Sequence, residues 1–324
     1  MQNSVYYPAL TPQQVTATKT ETNQPTERKP KMNKIYEKMQ TMTFGVELEY
    51  ERISLDRAAA AVAEAVGGTP VYEGGYYEKR TVALPDGRKW TIMTDGSLTS
   101  GCETVSPVCT LADMDMVQKV VRSLRAHGAT ARATCGLHVH VGAGDMTCKA
   151  AVNLAKMWYM NENFMVKGCG TRAERLYHYT RQTAKPFTDA LAKMGADATW
   201  EKFANAYYSC DGGYRGREHH YCDARYRTLN FHNLLGYAHR YSWAKPTVEF
   251  RLFEATTHAG EVRANILAAM AIVAKAETAN RIQYGEGKKY EYKRNGWTTE
   301  FSYLGWTGDE MKIVRFHFLK RAVA

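Results

Sequence analysis

The chain has 324 residues, enough for one large domain or two small ones, and its 44% apolar content is ordinary for a globular protein with a sizeable core. A net charge of +10 favours anionic partners such as nucleotides, acidic peptides or nucleic acid. The basic residues are scattered, with local clusters at 28–34, 215–227 and 288–294, so the stripe of a dedicated nucleic-acid reader is missing. The seven cysteines are irregularly spaced, odd in number and form no CxxC pair, which reads as reduced thiols in a cytoplasmic protein. The N-terminus lacks the apolar core of a signal peptide, and the most apolar helical run, Ile266 to Ala274, is too short to span a bilayer.

Residues 1–40 are rich in Thr, Gln, Pro and Lys, with little periodicity, and read as a flexible arm suited to docking on a partner or neighbouring subunit. Residues 41–324 are expected to form one domain. "TMTFGVELEY" (41–50) alternates as a strand does, and "SLDRAAAAVAEAVGG" follows as a short helix with Ser54 as N-cap and Gly67 as stop. Short β segments occupy 70–94, broken by Gly74-Gly75 and by Pro85-Asp86-Gly87. "GCETVSPV" (101–108) is a strand closed by Pro107, and Leu111 to His127 an amphipathic helix ended by Gly128. The strand "CGLHVHVG" (135–142) comes next, then a helix opening near Thr147. From about 147 to 224 the pattern is mostly helical and rich in Tyr and Trp, as in a helical insertion. Strands return at "RYRTLNF" (225–231) and "PTVEFRLFEAT" (246–256), before an Ala-rich helix from Glu261 to Ala279 and a last helix capped near Thr307. Helices are not interleaved between single strands, so the expected class is α+β with a largely antiparallel sheet.

Three of these strands repeat one device. "GLHVHVG" sends His138 and His140 to one face and Leu137, Val139 and Val141 to the other. "FGVELEY" does the same with Glu47 and Glu49, and "TVEFRLF" with Glu249 and Arg251. Same-face neighbours lie about 6.6 to 6.8 Å apart along the backbone, close enough to share one ion or bracket two. Taken singly, an alternating strand is most often just a half-exposed sheet. Glutamate is nevertheless depleted in strands, and the flanking residues here are strongly apolar. Aligned in one sheet, the three would make a buried carboxylate and imidazole cluster, expensive to leave unpaired and therefore expected to hold metal. Glu103 in "GCETVSP" is the fourth candidate. Carboxylate-rich sites with an occasional imidazole suit Mg²⁺ or Mn²⁺, and Arg251 beside Glu249 can grip a phosphate.

With these motifs in view, the chain resembles the amidoligases, a branch of the glutamine synthetase-like carboxylate–amine ligases. The resemblance rests on "FGVELEY", "TDGSLTSGCETVSPV", "CGLHVHVG", "RYRTLNF" and "TVEFRLFEAT", in that order, over most of residues 42–256. It implies a curved antiparallel sheet that binds ATP and divalent metals. It also implies a reaction in which ATP phosphorylates a carboxylate and an amine attacks the acyl phosphate. By position, Glu47 and Glu49 match the first metal-binding pair, Glu103 a later metal carboxylate, and His138 or His140 the metal histidine. Glu249 matches the last metal glutamate and Arg251 the phosphate-contacting arginine. "RYRTLNF" places Arg225 and Asn230 near nucleotide or substrate. Two features depart from the glutamine synthetases: no separate N-terminal domain is visible, and Glu103 stands where those enzymes use two glutamates, with Asp95 the nearest substitute. The expected cofactors are ATP and Mg²⁺ or Mn²⁺. The expected partners are a carboxylate and an amine from amino acids, peptides or protein side chains, rather than nucleic acid or membrane. A homo-oligomer is left open.

Two other functions compete with this one. A zinc hydrolase could use the His-x-His strand, but neither HExxH nor a following Asp-His pair is present. A basic nucleic-acid binder could use "YRGREHHYCDARYR", a segment that serves equally well as a substrate or nucleotide loop of a ligase. Within it, Cys210, His219, His220 and Cys222 lie close enough for a nonstandard zinc clip. No Walker-type GxxxxGK[ST] occurs, and the Met, Trp and Tyr run from Met157 to Met165 reads as helix packing.

Overall fold

A computed structural model describes residues 33–195, 197–209, 216–282, 284 and 301–322. At its centre is an eight-stranded sheet in which every neighbouring pair is antiparallel, in the order β2-β3-β4-β5-β1-β6-β8-β7. The strands are β1 (Phe44–Glu51), β2 (Pro70–Gly74), β3 (Lys79–Ala83), β4 (Lys89–Met93), β5 (Gly101–Val105), β6 (Leu137–Gly142), β7 (Leu229–Asn230) and β8 (Thr247–Phe250). The α+β class and the antiparallel sheet are as expected from the sequence.

One face of the sheet is apolar and fully covered. Val46, Leu48 and Tyr50 of β1, Val139 and Val141 of β6, and Val248 and Phe250 of β8 all lie within the core. Helices α2 (Leu55–Val66), α3 (Met114–Ala126), α4 (Cys148–Cys169) and α9 (Ala259–Thr278) build the layer that covers it. Helix α9 sits in the middle of that layer, against β6, α3 and α4. Its alanines let neighbouring helices approach closely, and apolar residues occur all round its surface, as a helix packed on every side requires. Caps define the helix ends: Ser54 Oγ accepts from the Arg57 amide at 3.3 Å, and Gly67 closes α2 in the left-handed region at φ 75°. No helix among the described residues is long and apolar enough to cross a membrane.

Four expectations need correction. The arm assigned to 1–40 ends earlier, because Lys34–Met39 form a helix, α1, that buries Ile35 and Met39 against α9. Asn33 caps it and also donates to Thr307 at 2.8 Å. Six residues carry too few apolar positions to show a period, so composition alone suggested an arm. Residues 1–32 lie outside the described residues. Helix α4 is not part of an insertion either, since it packs on α9, and its Met157, Trp158, Met160 and Met165 are core residues. The helical excursion begins after Gly170, with α5 (Ala173–His178), α6 (Lys185–Lys193) and α7 (Trp200–Tyr208).

"RYRTLNF" supplies only the two residues of β7 to the sheet. Its start turns through a 3₁₀ segment at Asp223–Arg225 and then pairs with Arg181, whose amide donates to Tyr226 O at 2.9 Å. Strand β8 likewise stops at Phe250: the Arg251 amide donates to Thr228 O at 2.9 Å, and pairing resumes only as an isolated bridge between Gly136 and Glu254. A short helix, α8 (His232–Ala238), follows β7, and α10 (Lys312–Ala322) lies near the C-terminal end of the described residues.

Candidate metal and phosphate centre

The strand order puts every acidic and imidazole candidate on adjacent strands. Across β5, β1, β6, β8 and β7, the register pairs Glu103 with Glu49, Glu47 with His138, His140 with Glu249, and Glu249 with Asn230. Because side chains alternate, these residues share the face opposite the apolar one. The convergence expected of Glu47, His138 and Arg251 is therefore present.

Glu47 is the hub. Its Oε2 lies 2.9 Å from His138 Nδ1 and its Oε1 3.0 Å from His140 Nε2, so each oxygen accepts from one imidazole. His138 Nε2 is 3.6 Å from Glu49, and Glu249 Oε1 is 3.7 Å from His138 and 3.9 Å from His140. Glu249 also accepts from Arg251 Nη1 at 2.6 Å and from Asn230 Nδ2 at 2.7 Å. Asn230 thus orients Glu249; it is buried, and its Oδ1 accepts from the His232 amide at 2.8 Å. Two sets of ligand atoms fall within 4.8 Å of one another: Glu47, Glu103 and His138, and Glu47, His140 and Glu249. Glu47 belongs to both sets, and neither contains both imidazoles.

Electrostatics sort these carboxyls into two kinds. Burial opposes ionisation of Glu47, but the charge of His140 and hydrogen bonds from both imidazoles hold it well below the usual carboxylate range. Burial opposes Glu249 too, yet Arg251 and His140 bring it to about 2. Glu103 goes the other way: burial and then the charges of Glu47, Glu49 and Asp95 push it well above the usual range. His140 is raised, since Glu47 and Glu249 outweigh its burial. Glu47 and Glu249 stay ionised beside Glu103, whose ionisation their charges resist, and a bound cation would relieve that repulsion.

Three recesses open onto it. One of 340 Å³ adds Lys79, Arg225 and Lys245 to the Glu249 and Arg251 side. A second, of 670 Å³, extends on the Glu49 and His138 side towards Thr134, Arg175 and His178. A third, of 310 Å³, is mostly apolar and runs from Glu47 and His140 over Gly45 and Gly142 to Pro107 and Pro246. Tyr77, after β2, and Tyr221 meet above the first two through their hydroxyls at 2.9 Å.

The remaining candidates fall at the margins. Arg225 lines the cleft and stacks over Tyr221 and Tyr226 at 5.4 and 5.2 Å, without touching the carboxylates. Asp95 accepts from the Ser97 amide at 2.7 Å and reaches Glu103 only electrostatically. In the basic segment, Arg217 binds Glu201 and Asn205, while His220, Tyr221 and Arg225 turn into the cleft. Among the described residues, His219, His220 and Cys222 join no metal-ligating group, and Cys210 lies outside those residues.

Sequence reasoning missed Arg175, Lys79, Lys245 and Tyr77, whereas Tyr221 lay in the segment read as a possible substrate or nucleotide loop. None of the four sits in an alternating strand motif with the acidic residues, so only the chain's return to the cleft reveals them. A basic residue close before "TVEF" was the one signal for Lys245.

Fold and site together define an α+β protein with a carboxylate–imidazole centre on the open face of an antiparallel sheet. The chain matches the family model described as "Putative amidoligase enzyme" over residues 40–273, and it belongs to that family, one of amide-forming ligases. The matched span runs from before β1 into α9 and so contains the whole centre. A comparison with curated proteins returned no match.

Proposed function

We propose that this protein is an ATP-dependent carboxylate–amine ligase with a glutamine synthetase-like catalytic sheet, forming an amide or isopeptide bond through an acyl phosphate. The observation that carries the reading is the pair of ligand sets joined through Glu47, beside a cavity lined by Lys79, Arg225, Lys245 and Arg251. A carboxylate cannot expel oxide, and phosphorylation converts that oxygen into a leaving group. The donor sets fit hard divalent ions: Glu47, Glu103 and Glu249 offer oxygens, with one imidazole for each set, while Glu49 stands outside both. When bound, Mg²⁺ or Mn²⁺ would neutralise charge on the transferring phosphoryl group.

The chain's own residues would do the rest by position and charge. Lys79, Arg225 and Lys245 line a path for polyphosphate, and Arg251, held by Glu249 at 2.6 Å, presents a fixed fork at its end. The glycine-floored apolar recess adjoins that path at His140 and Lys245 and has room for a purine ring. Glu49, on the far side of the cluster, is placed to take a proton from the attacking amine. The separation of the two imidazoles into different sets disfavours a His-x-His zinc site.

The test is ADP release with ATP, Mg²⁺ and pools of amino acids and peptides, the products being identified by mass spectrometry. Glu49→Ala should abolish turnover while keeping the fold, and Glu249→Ala should abolish it at a cost in stability. Full activity in both, or ATP-independent hydrolysis with bound Zn²⁺, would overturn the reading.

A further inference from the structure

Arg175 is a buried cation that no carboxylate touches: Glu49 and Glu254 act on its charge only at a distance. It leaves α5 and is only 1% exposed. Its Nη2 donates to the Arg251 carbonyl at 3.1 Å and lies 3.3 Å from His138 Nε2, and neither partner is an anion. Its Nε has no hydrogen-bond partner. Arg251 Nε, in the wall of the same 670 Å³ cavity, also lacks one. Leaving buried guanidinium donors unmatched is costly, and an anion held between the two would complete them.

The backbone makes room for this arrangement. Gly136 precedes His138 by two residues and so shares its face of the sheet. A Cβ there would collide with Arg175 Nη2 and stand within 2.8 Å of the guanidinium carbon and of His138 Nε2. The glycine amide itself donates to Glu49. The guanidinium therefore occupies the place of a missing side chain, in line with the two histidines.

We infer that Arg175, together with Arg251, binds the carboxylate of the substrate, and that the larger cavity is the acceptor's while the phosphates lie on the Lys245 side. This rests on the ligase reading. Arg175 carries a full charge and a planar fork matched to a carboxylate, and it lines only the larger of the two cleft cavities. Arg251 lines both, as a residue between the two reactants should.

Thermal shift and calorimetric titration of the full chain with ATP, with glutarate and with inorganic phosphate test the assignment. Wild type should be stabilised by ATP and by glutarate. In Arg175→Met, glutarate affinity should fall by about tenfold or more while ATP affinity stays within twofold. Arg175→Lys, which keeps the charge but loses the fork, should fall between the two. Without ligand, Arg175→Met should melt no lower than wild type, because a desolvated cation is gone; a purely structural arginine would give a marked drop. Such a drop, or unchanged glutarate affinity, overturns the inference. Failure of ATP to bind wild type would instead remove the ligase reading beneath it.

Discussion

Replacing Glu249 by Gln tests how the centre is held together. Glu249 is 4% exposed, and its carboxyl falls from an ordinary 4.5 to about 2, chiefly because Arg251 and His140 outweigh the cost of burial. A depression of that size corresponds to about 3 kcal/mol in favour of the ionised form. Because the folded value is the lower one, this stability is present above the ordinary carboxylate range and is lost as pH falls towards 2. Glutamine keeps an oxygen for Asn230 but removes the charge opposite Arg251, leaving a buried cation short of its nearest anion. Unfolding in urea near neutral pH, with chelator present, should show a loss of about 3 to 5 kcal/mol. Adding Arg251→Met should recover most of it, since both ends of the pair are then gone. A loss below about 1 kcal/mol, or a double variant weaker than the sum of the two singles, would refute this picture of the pair.

Glu103→Gln should act in the opposite direction. Its carboxyl is disfavoured by burial and by Glu47, Glu49 and Asp95, so the metal-free protein should melt higher while Mn²⁺ binding, followed by calorimetry, weakens. A lower melting point without metal would contradict that. His317, buried beside Arg321 and Glu261, titrates at about 4 instead of 6.5, burial being the main cause. The unfolded chain then binds the extra proton first, so stability falls as pH drops from 6.5 towards 4. Between about pH 7 and pH 5 this amounts to about 2 kcal/mol. His317→Gln should flatten that part of the urea-midpoint profile, and an unaltered slope would exclude the histidine as its source.

Much of the centre was legible because a strand's period is two. Glu47 with Glu49, His138 with His140 and Glu249 with Arg251 had to leave the same face of their own strands, whatever the tertiary arrangement. Caps were equally local: Ser54, Gly67, Gly128 and Thr147 mark helix boundaries through hydrogen bonds and φ values set within a few residues. "RYRTLNF" was over-read as a strand because β-branched and aromatic residues also suit the extended segment that pairs with Arg181.

Sequence alone determined which side chains each strand would offer together and where most helices begin and stop, since those follow from backbone geometry over a few residues. Only the tertiary structure decided that β5, β1, β6 and β8 stand side by side with their acidic faces aligned. It also decided that Glu47 is shared by two ligand sets and that a short helix 37 residues beyond His138 returns an arginine to the gap left by Gly136. Strand order and the return of distant segments depend on how one hydrophobic core is buried as a whole, and no local period encodes that choice.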